Sequence, residues 1–173
     1  PIEVEVYADA DEVELFVNGA SVGVKKVGEE VPYVAKFDTV YAPGEVKAVA
    51  HKDDETWQWV LKSAADDVEL VVTAEQDSIL AKTDVGYINV TVADKAGVCN
   101  PAKNLPITVE VEGGVIAGMG SGQPDSNENY TGNTCVTFEG RALVVVRGFE
   151  TGVLTAKVSA EGYETKTVQI EVK

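Results

Sequence analysis

One histidine and two cysteines are all that this 173-residue chain offers in imidazole and thiol chemistry. Cys99 and Cys135 form no CxxC pair, and His51 is their only imidazole companion. Thiolate metal sites need three or four ligands, so a zinc centre is excluded, and no cofactor is expected. A disulfide between the two would suit an oxidising compartment, while two free thiols in or beside strands is the commoner outcome; spacing does not choose between them. His51 lies between Ala50 and Lys52 at the end of a predicted strand and reads as a surface residue. Ser-His-Asp chemistry would need it held beside a nucleophile. Basic residues are also scarce. The net charge of −15 splits almost evenly, with 13 acids against 6 bases over residues 1–65 and 16 against 8 over residues 66–173. A uniformly acidic surface repels phosphate backbones and anionic headgroups, so neither nucleic acid nor a membrane surface is an expected partner. No stretch approaches the ~18 apolar residues of a membrane span, which argues against membrane insertion. The chain opens at Pro1 with neither Met nor a leader, and reads as a piece of something longer.

Valine is plentiful and leucine sparse, a bias that suits a pleated, half-buried surface better than a helix. The periodicity agrees. Ile2, Val4 and Val6 alternate with Glu3, Glu5 and Tyr7, and Ala8 to Asp11 break the run. Val13, Leu15 and Val17 alternate again, Asn18-Gly19 supplies the positive φ angles of a tight hairpin, and Ser21 to Val27 returns. Further strands are predicted over Pro32–Val40, Glu45–Lys52 and Trp57–Leu61. About six strands in some 62 residues without helical periodicity predict a small β-sandwich.

The alternation lapses around Ser63 to Asp67, which places a boundary between a domain at 1–64 and a second at 65–173. The second unit has predicted strands over Val68–Ala74, Tyr87–Ala93, Leu105–Glu112, Arg141–Phe149, Val153–Ala160 and Thr165–Val172. Val144-Val145-Val146 lacks alternation, as a strand buried on both faces would. Gly113 to Asn133 reads as one long irregular segment, and such segments in compact domains tend to be functional or mobile. The fold class is all-β, with two tandem sandwiches.

Several residue patterns invite a chemical reading. Glu110 and Glu112 share a strand face roughly 6–7 Å apart, near the separation of paired glycosidase carboxylates. Any alternating strand with a wet face makes such pairs, as Glu3/Glu5 and Glu12/Glu14 show, so this pair is read as solvated. GMGSG at 118–122 has no helix after it to supply amides and dipole to a phosphate, so its glycines are read as bends. Asp125 to Asn129 is rich in oxygen but lacks the spacing of a calcium loop. Asn89-Val90-Thr91 and Asn129-Tyr130-Thr131 fit the glycan-acceptor pattern, relevant only in a eukaryotic secretory route. Trp57 and Trp59 flank Gln58 and so project from one face. They are candidates for stacking on sugar rings, or for packing in a core or against a neighbouring domain. Nothing assembles an acid, a base and a pocket, so no catalytic residue is assigned.

Two segments resemble a known family. VYADADEVELFVNGASVGVKK, followed by YAPGEVKAVAH, is similar to the small β-domain after the catalytic barrel in bacterial β-galactosidases of glycoside hydrolase family 2, which usually reads deVELFlNGksLG and then y.PGelkAvay. INVTVADKAGVCNPAKNLPITVEVEGGVIAGMGSGQPDSNENYTGN, with FEGRALVVV, resembles the immunoglobulin-like (invasin-like) C-terminal domain of the same enzymes. The family tends to have Asn at Ser121 and Asp at Gln123. The resemblance implies two tandem immunoglobulin-like sandwiches attached to a parent that hydrolyses terminal β-galactosides with retention. The catalytic glutamates of that family lie in the upstream barrel, and no residue here matches their motifs. The fragment is thus expected to be a non-catalytic piece with a structural or substrate-access role. Its expected partners are the upstream barrel of the same polypeptide, a second subunit or a glycan. A carbohydrate-binding module and a bacterial adhesin stalk are the alternatives. The expected setting is secreted, periplasmic or cell-surface in a bacterium, with the cytoplasm also open.

Overall fold

The structure is a computed structural model that describes residues 1–28 and 33–173. The chain divides into two compact units, Pro1–Ser63 and Ala64–Lys173. All regular elements among the described residues are strands.

The smaller unit pairs β1 (Ile2–Tyr7) with β4 (Val34–Thr39) in a two-stranded sheet. A four-stranded sheet in the order β3-β2-β5-β6 provides the other layer, from β2 (Glu12–Val17), β3 (Ala20–Lys26), β5 (Glu45–Lys52) and β6 (Glu55–Lys62). The strand predicted from Pro32 starts at Val34; Pro32 itself lies outside the described residues. Asn18 (φ 50°) and Gly19 (φ 81°) make the tight turn between β2 and β3. Asn18 also fixes a second turn: its Nδ2 donates to the Pro43 carbonyl at 3.1 Å and its Oδ1 accepts from the Glu45 amide at 2.7 Å. Gly44, at φ 135°, has no room for a side chain there, because a Cβ would stand 1.9 Å from Asn18 Oδ1. One side chain thereby joins the β2–β3 hairpin to the start of β5.

The core of this unit is small: Ala10, Val13, Leu15, Val27, Ala35 and Phe37 are its buried apolar residues. Burial fades across the inner face of the four-stranded sheet. Directly paired residues point to the same face, and the pairs run Val13–Ala50–Trp57, Leu15–Ala48–Trp59 and Val17–Val46–Leu61. Val13 and Leu15 are fully buried, Ala48 and Ala50 half-buried, and the β6 residues exposed. A two-stranded layer is too narrow to cover a four-stranded one, so the inner face of β6 is left bare.

The larger unit is a fuller sandwich. One sheet orders β11-β13-β9-β7, from β7 (Val68–Ala74), β9 (Gly86–Asp94), β11 (Val115–Gly120) and β13 (Arg141–Arg147). The other orders β12-β10-β14-β15-β8, from β8 (Ser78–Ile79), β10 (Pro106–Glu112), β12 (Thr134–Val136), β14 (Gly152–Ser159) and β15 (Lys166–Val172). Ile88, Val144, Val146, Leu154, Val158 and Ile170 are fully buried between them. Interdigitation of two apolar faces is what holds such a sandwich together.

Two expectations are corrected. Val144-Val145-Val146 is not buried on both faces: Val144 and Val146 point into the core, while Val145 is only half-buried. The segment from Gly113 is not irregular throughout, because Val115–Gly120 is a strand paired to β13. A register shift between Ile116 and Gly118 breaks its period, and glycines at 118 and 120 leave the outer positions without side chains. A bulge of this kind hides a strand from any alternation count.

Asp94 organises the start of the larger unit. Its carboxylate is buried and accepts from the amides of Ala65, Ala96 and Val98, each at 2.9 Å. Asn100 completes the clamp by donating Nδ2 to the Ala65 carbonyl at 3.2 Å. The amides of Ala65, Val98 and Ala96 hold the Asp94 carboxyl below its ordinary value of 3.8. A group whose folded pKa is depressed adds stability that is complete above the unfolded value and disappears as pH falls through the folded one. The thermal midpoint of the larger unit is therefore expected to fall as pH drops below about 4, and Asp94→Asn should flatten that acid limb while lowering the midpoint at neutral pH. Melting curves across the acid range check this. An unchanged limb in the variant would show that other carboxyls carry it.

Candidate functional site

Trp57, Trp59 and Leu61 stand in a row on β6, 49, 74 and 62% exposed respectively. Leu61 is not among the residues singled out from sequence, although the i, i+2, i+4 spacing that joins the two indoles includes it. Their exposure follows from the width mismatch of the two layers. Beyond the row, Trp57 borders a shallow acidic hollow lined by Asp9, Asp53, Asp54 and Glu55. Lys52 Nζ donates to Asp9 there at 2.7 Å, and that hydrogen bond raises its pKa. Trp59 and Leu61 do not line this hollow. The row is a flat apolar strip with carboxylates at one end.

The other candidates are dispersed. Glu112 pairs with Lys157 at 2.9 Å on the outer face of β10, and Glu110 is exposed beside it. The same hydrogen bond raises the Lys157 pKa, as expected for a cross-strand ion pair on a wet face. His51 is half-buried, with Nδ1 3.1 Å from Thr56 Oγ1 across the β5–β6 hairpin. Both cysteines are free. Burial beneath the sheet, with the Glu128 carboxylate nearby, pushes the Cys135 thiol up to about 11, opposite to what a nucleophile needs. Cys99 is half-buried and donates weakly to the Glu139 carbonyl. In the 125–129 loop the oxygens serve the loop itself: Asp125 accepts from Gln123, Ser126 from the Glu128 amide, Glu128 from the Val136 amide and Asn129 from Thr131. Among the described residues, no group of three His, Cys, Asp or Glu side chains is arranged to hold a metal.

The comparisons with known proteins bear on the whole chain. Residues 70–169 match the model of the glycoside hydrolase family 2 C-terminal domain 5. The chain belongs to glycoside hydrolase family 2, in the C-terminal, non-catalytic region of its enzymes. Residues 1–58 match a further family described as Domain of unknown function (DUF4982). The β-galactosidase BoGH2A of Bacteroides ovatus is 31% identical over 172 residues, which is 96% of this chain and 20% of that protein. A glycosyl hydrolase family 2 member from Bacteroides cellulosilyticus superposes with a TM-score of 0.93 at 26% identity, covering 99% of this chain and 23% of that one. A β-glycosidase from Bacteroides vulgatus gives 0.89 at 27% identity, covering 99% and 22%. The chain thus spans about a fifth of the length of these relatives, and their shared fold makes it the all-β sandwich region of the family.

Proposed function

We propose that this chain is an accessory sandwich region of a glycosidase acting on terminal β-galactosides, and that the Trp57–Trp59–Leu61 strip packs against the upstream part of the same polypeptide. The supporting observation is the strip itself: two indoles and a leucine, left bare by a neighbouring sheet too narrow to reach them. Aromatic anchors of this kind dominate protein contacts once desolvated. The share of the relatives outside the matched region supplies the occupant, since about four-fifths of BoGH2A is other sequence. The β-galactoside specificity rests on that relative's name alone. A setting outside the bacterial cytoplasm belongs to the same proposal, on the strength of the acid-rich surface. The competing use of these residues as a sugar platform fits them less well. Sugar sites are concave and combine an aromatic with convergent polar groups, whereas Trp59 and Leu61 form a flat strip.

The test compares two settings. In the isolated 173-residue chain, Trp57→Ala/Trp59→Ala should cost less stability than in the full-length enzyme, because Trp59 is mostly in water and Trp57 half so. In the full-length enzyme, the same pair should cost at least about 2 kcal/mol of stability, or a comparable share of activity on large substrates. An enzyme that loses no more to the double substitution than the isolated chain does would overturn the packing role.

A further inference from the structure

The outer face of the β11-β13-β9-β7 sheet carries a groove of about 550 Å³ that is independent of the tryptophan strip. Its floor is apolar, made by Leu143 and Val145 of β13 beside Gly118 and Gly120 of β11. The two glycines matter by what they omit. Outward side chains at 118 and 120 would fill the trough, and a Cβ on Gly120 would stand 2.6 Å from the Tyr130 ring. Tyr130 therefore lies against bare backbone and forms one wall, while 55% exposed.

The rim is polar and of mixed character. Asn89 stands beside Leu143 on the neighbouring strand, and its Nδ2 donates to Glu75 Oε1 at 3.0 Å, which leaves its own Oδ1 as an acceptor. Arg141, one of only two arginines in the chain, lines the groove and makes no ion pair among the described residues. Ser121 Oγ at the groove's end is buried and has no hydrogen-bond partner among the described residues. Arginine only donates, carboxylate only accepts, and amide and hydroxyl do both. An anion would want donors alone and would meet Glu75. A hydrocarbon would strip water from Arg141 and Glu75 without replacing it. A sugar hydroxyl both donates and accepts, and a pyranose ring offers an apolar C–H face to an aromatic wall and an aliphatic floor. The volume falls within the roughly 300–1,000 Å³ of small-molecule sites.

We infer that this groove binds one ring of a neutral oligosaccharide, with Tyr130, Leu143 and Val145 taking its apolar face and Arg141, Asn89 and Glu75 its hydroxyls. The inference does not depend on the packing role of Trp57 and Trp59. The test is an amide-resolved NMR titration of the 173-residue chain with neutral tetrasaccharides of galacto-, gluco-, manno- and xylo-configuration, and with tetragalacturonate as the acidic probe. At least one neutral sugar should move the amides of Gly118, Gly120, Asn89 and Leu143. Asn89→Ala and Arg141→Ala, on the rim and away from the core, should each weaken that binding about fivefold without altering the unfolding midpoint. Tyr130→Ala should weaken it further. Silence with all four neutral sugars at millimolar concentration would overturn the inference. So would shifts confined to the Trp57 and Trp59 indoles, equal binding by the rim variants, or tighter binding of tetragalacturonate.

Discussion

Phe37→Ala should unfold residues 1–63 while leaving the larger sandwich folded. Phe37 is the largest fully buried side chain of the described residues and belongs to a cluster of only six buried apolar residues. It enters from the two-stranded layer, where it pairs with Val4, and meets the Val13 and Leu15 face of the opposite sheet. Truncating a buried phenylalanine costs about 3–5 kcal/mol. A core this small supplies a net stability of about the same size, so the loss is not a fraction of the margin but all of it. Hydrogen exchange on the variant should show the amides of Val13 and Leu15 unprotected, while Val144 and Leu154 in the other unit keep their protection. Persistence of slow exchange at Val13 would mean that the small unit draws its stability from elsewhere.

Much of this architecture could be read from alternation and turn chemistry. Glu45–Lys52 and Val68–Ala74 are strands over the whole of their predicted ranges: the first sets Val46, Ala48 and Ala50 at alternate positions, and the second is a short, largely β-branched run bounded by polar residues. Asn18-Gly19 makes the tight turn that its residues require. What the patterning could not reveal was that the two quoted family segments touch: Asn18 of the first holds the Pro43–Glu45 turn of the second, and Gly44 has no side chain because Asn18 occupies that space. The elements that escaped did so for identifiable reasons. Two-residue β8 is too short to show a period, and its parallel pairing with β15 is a contact at long sequence distance. β11 is interrupted by a bulge and carries glycine where its outer side chains would be.

The candidate surfaces divide in the same way. The shared face of Trp57 and Trp59 was visible in their spacing, but their exposure was not, because it depends on how many strands the opposite layer has. The groove beneath Tyr130 was invisible. Its polar rim comes from Glu75, Asn89, Ser121 and Arg141, which only the sheet order brings to one place. Val145 reads in sequence as part of a doubly buried strand; its half-exposed side is the floor of that groove. A C-terminal, non-catalytic region of the family is free to carry surfaces of other kinds, and the two surfaces here differ in chemistry. One is flat and apolar, suited to permanent contact. The other is concave with hydroxyl-matching groups, suited to a ligand that leaves.

Gly113→Ala is the second substitution with a large expected cost. Gly113 and Gly114 carry the chain from β10 in one sheet to β11 in the other, so the whole layer crossing depends on this bend. Gly113 adopts φ 74°, a region that costs an L-residue about 1–2 kcal/mol. A Cβ there would also stand 2.3 Å from the Val153 carbonyl oxygen, a backbone atom at the start of β14 that cannot swing aside as a side-chain end could. Relief requires moving β14 or opening the crossing, and the two costs together should reach about 3 kcal/mol or more. Gly122 separates them. It has the same φ of 74° with nothing within 4 Å of the place a Cβ would take, so Gly122→Ala should cost only the conformational part, about 1 kcal/mol. Urea unfolding of the larger unit gives both numbers, with unchanged m-values as the sign that the native state alone is strained. Equal midpoints for the two variants would show that the Val153 carbonyl yields without cost, and that the crossing is held by the strands it joins rather than by the glycine between them.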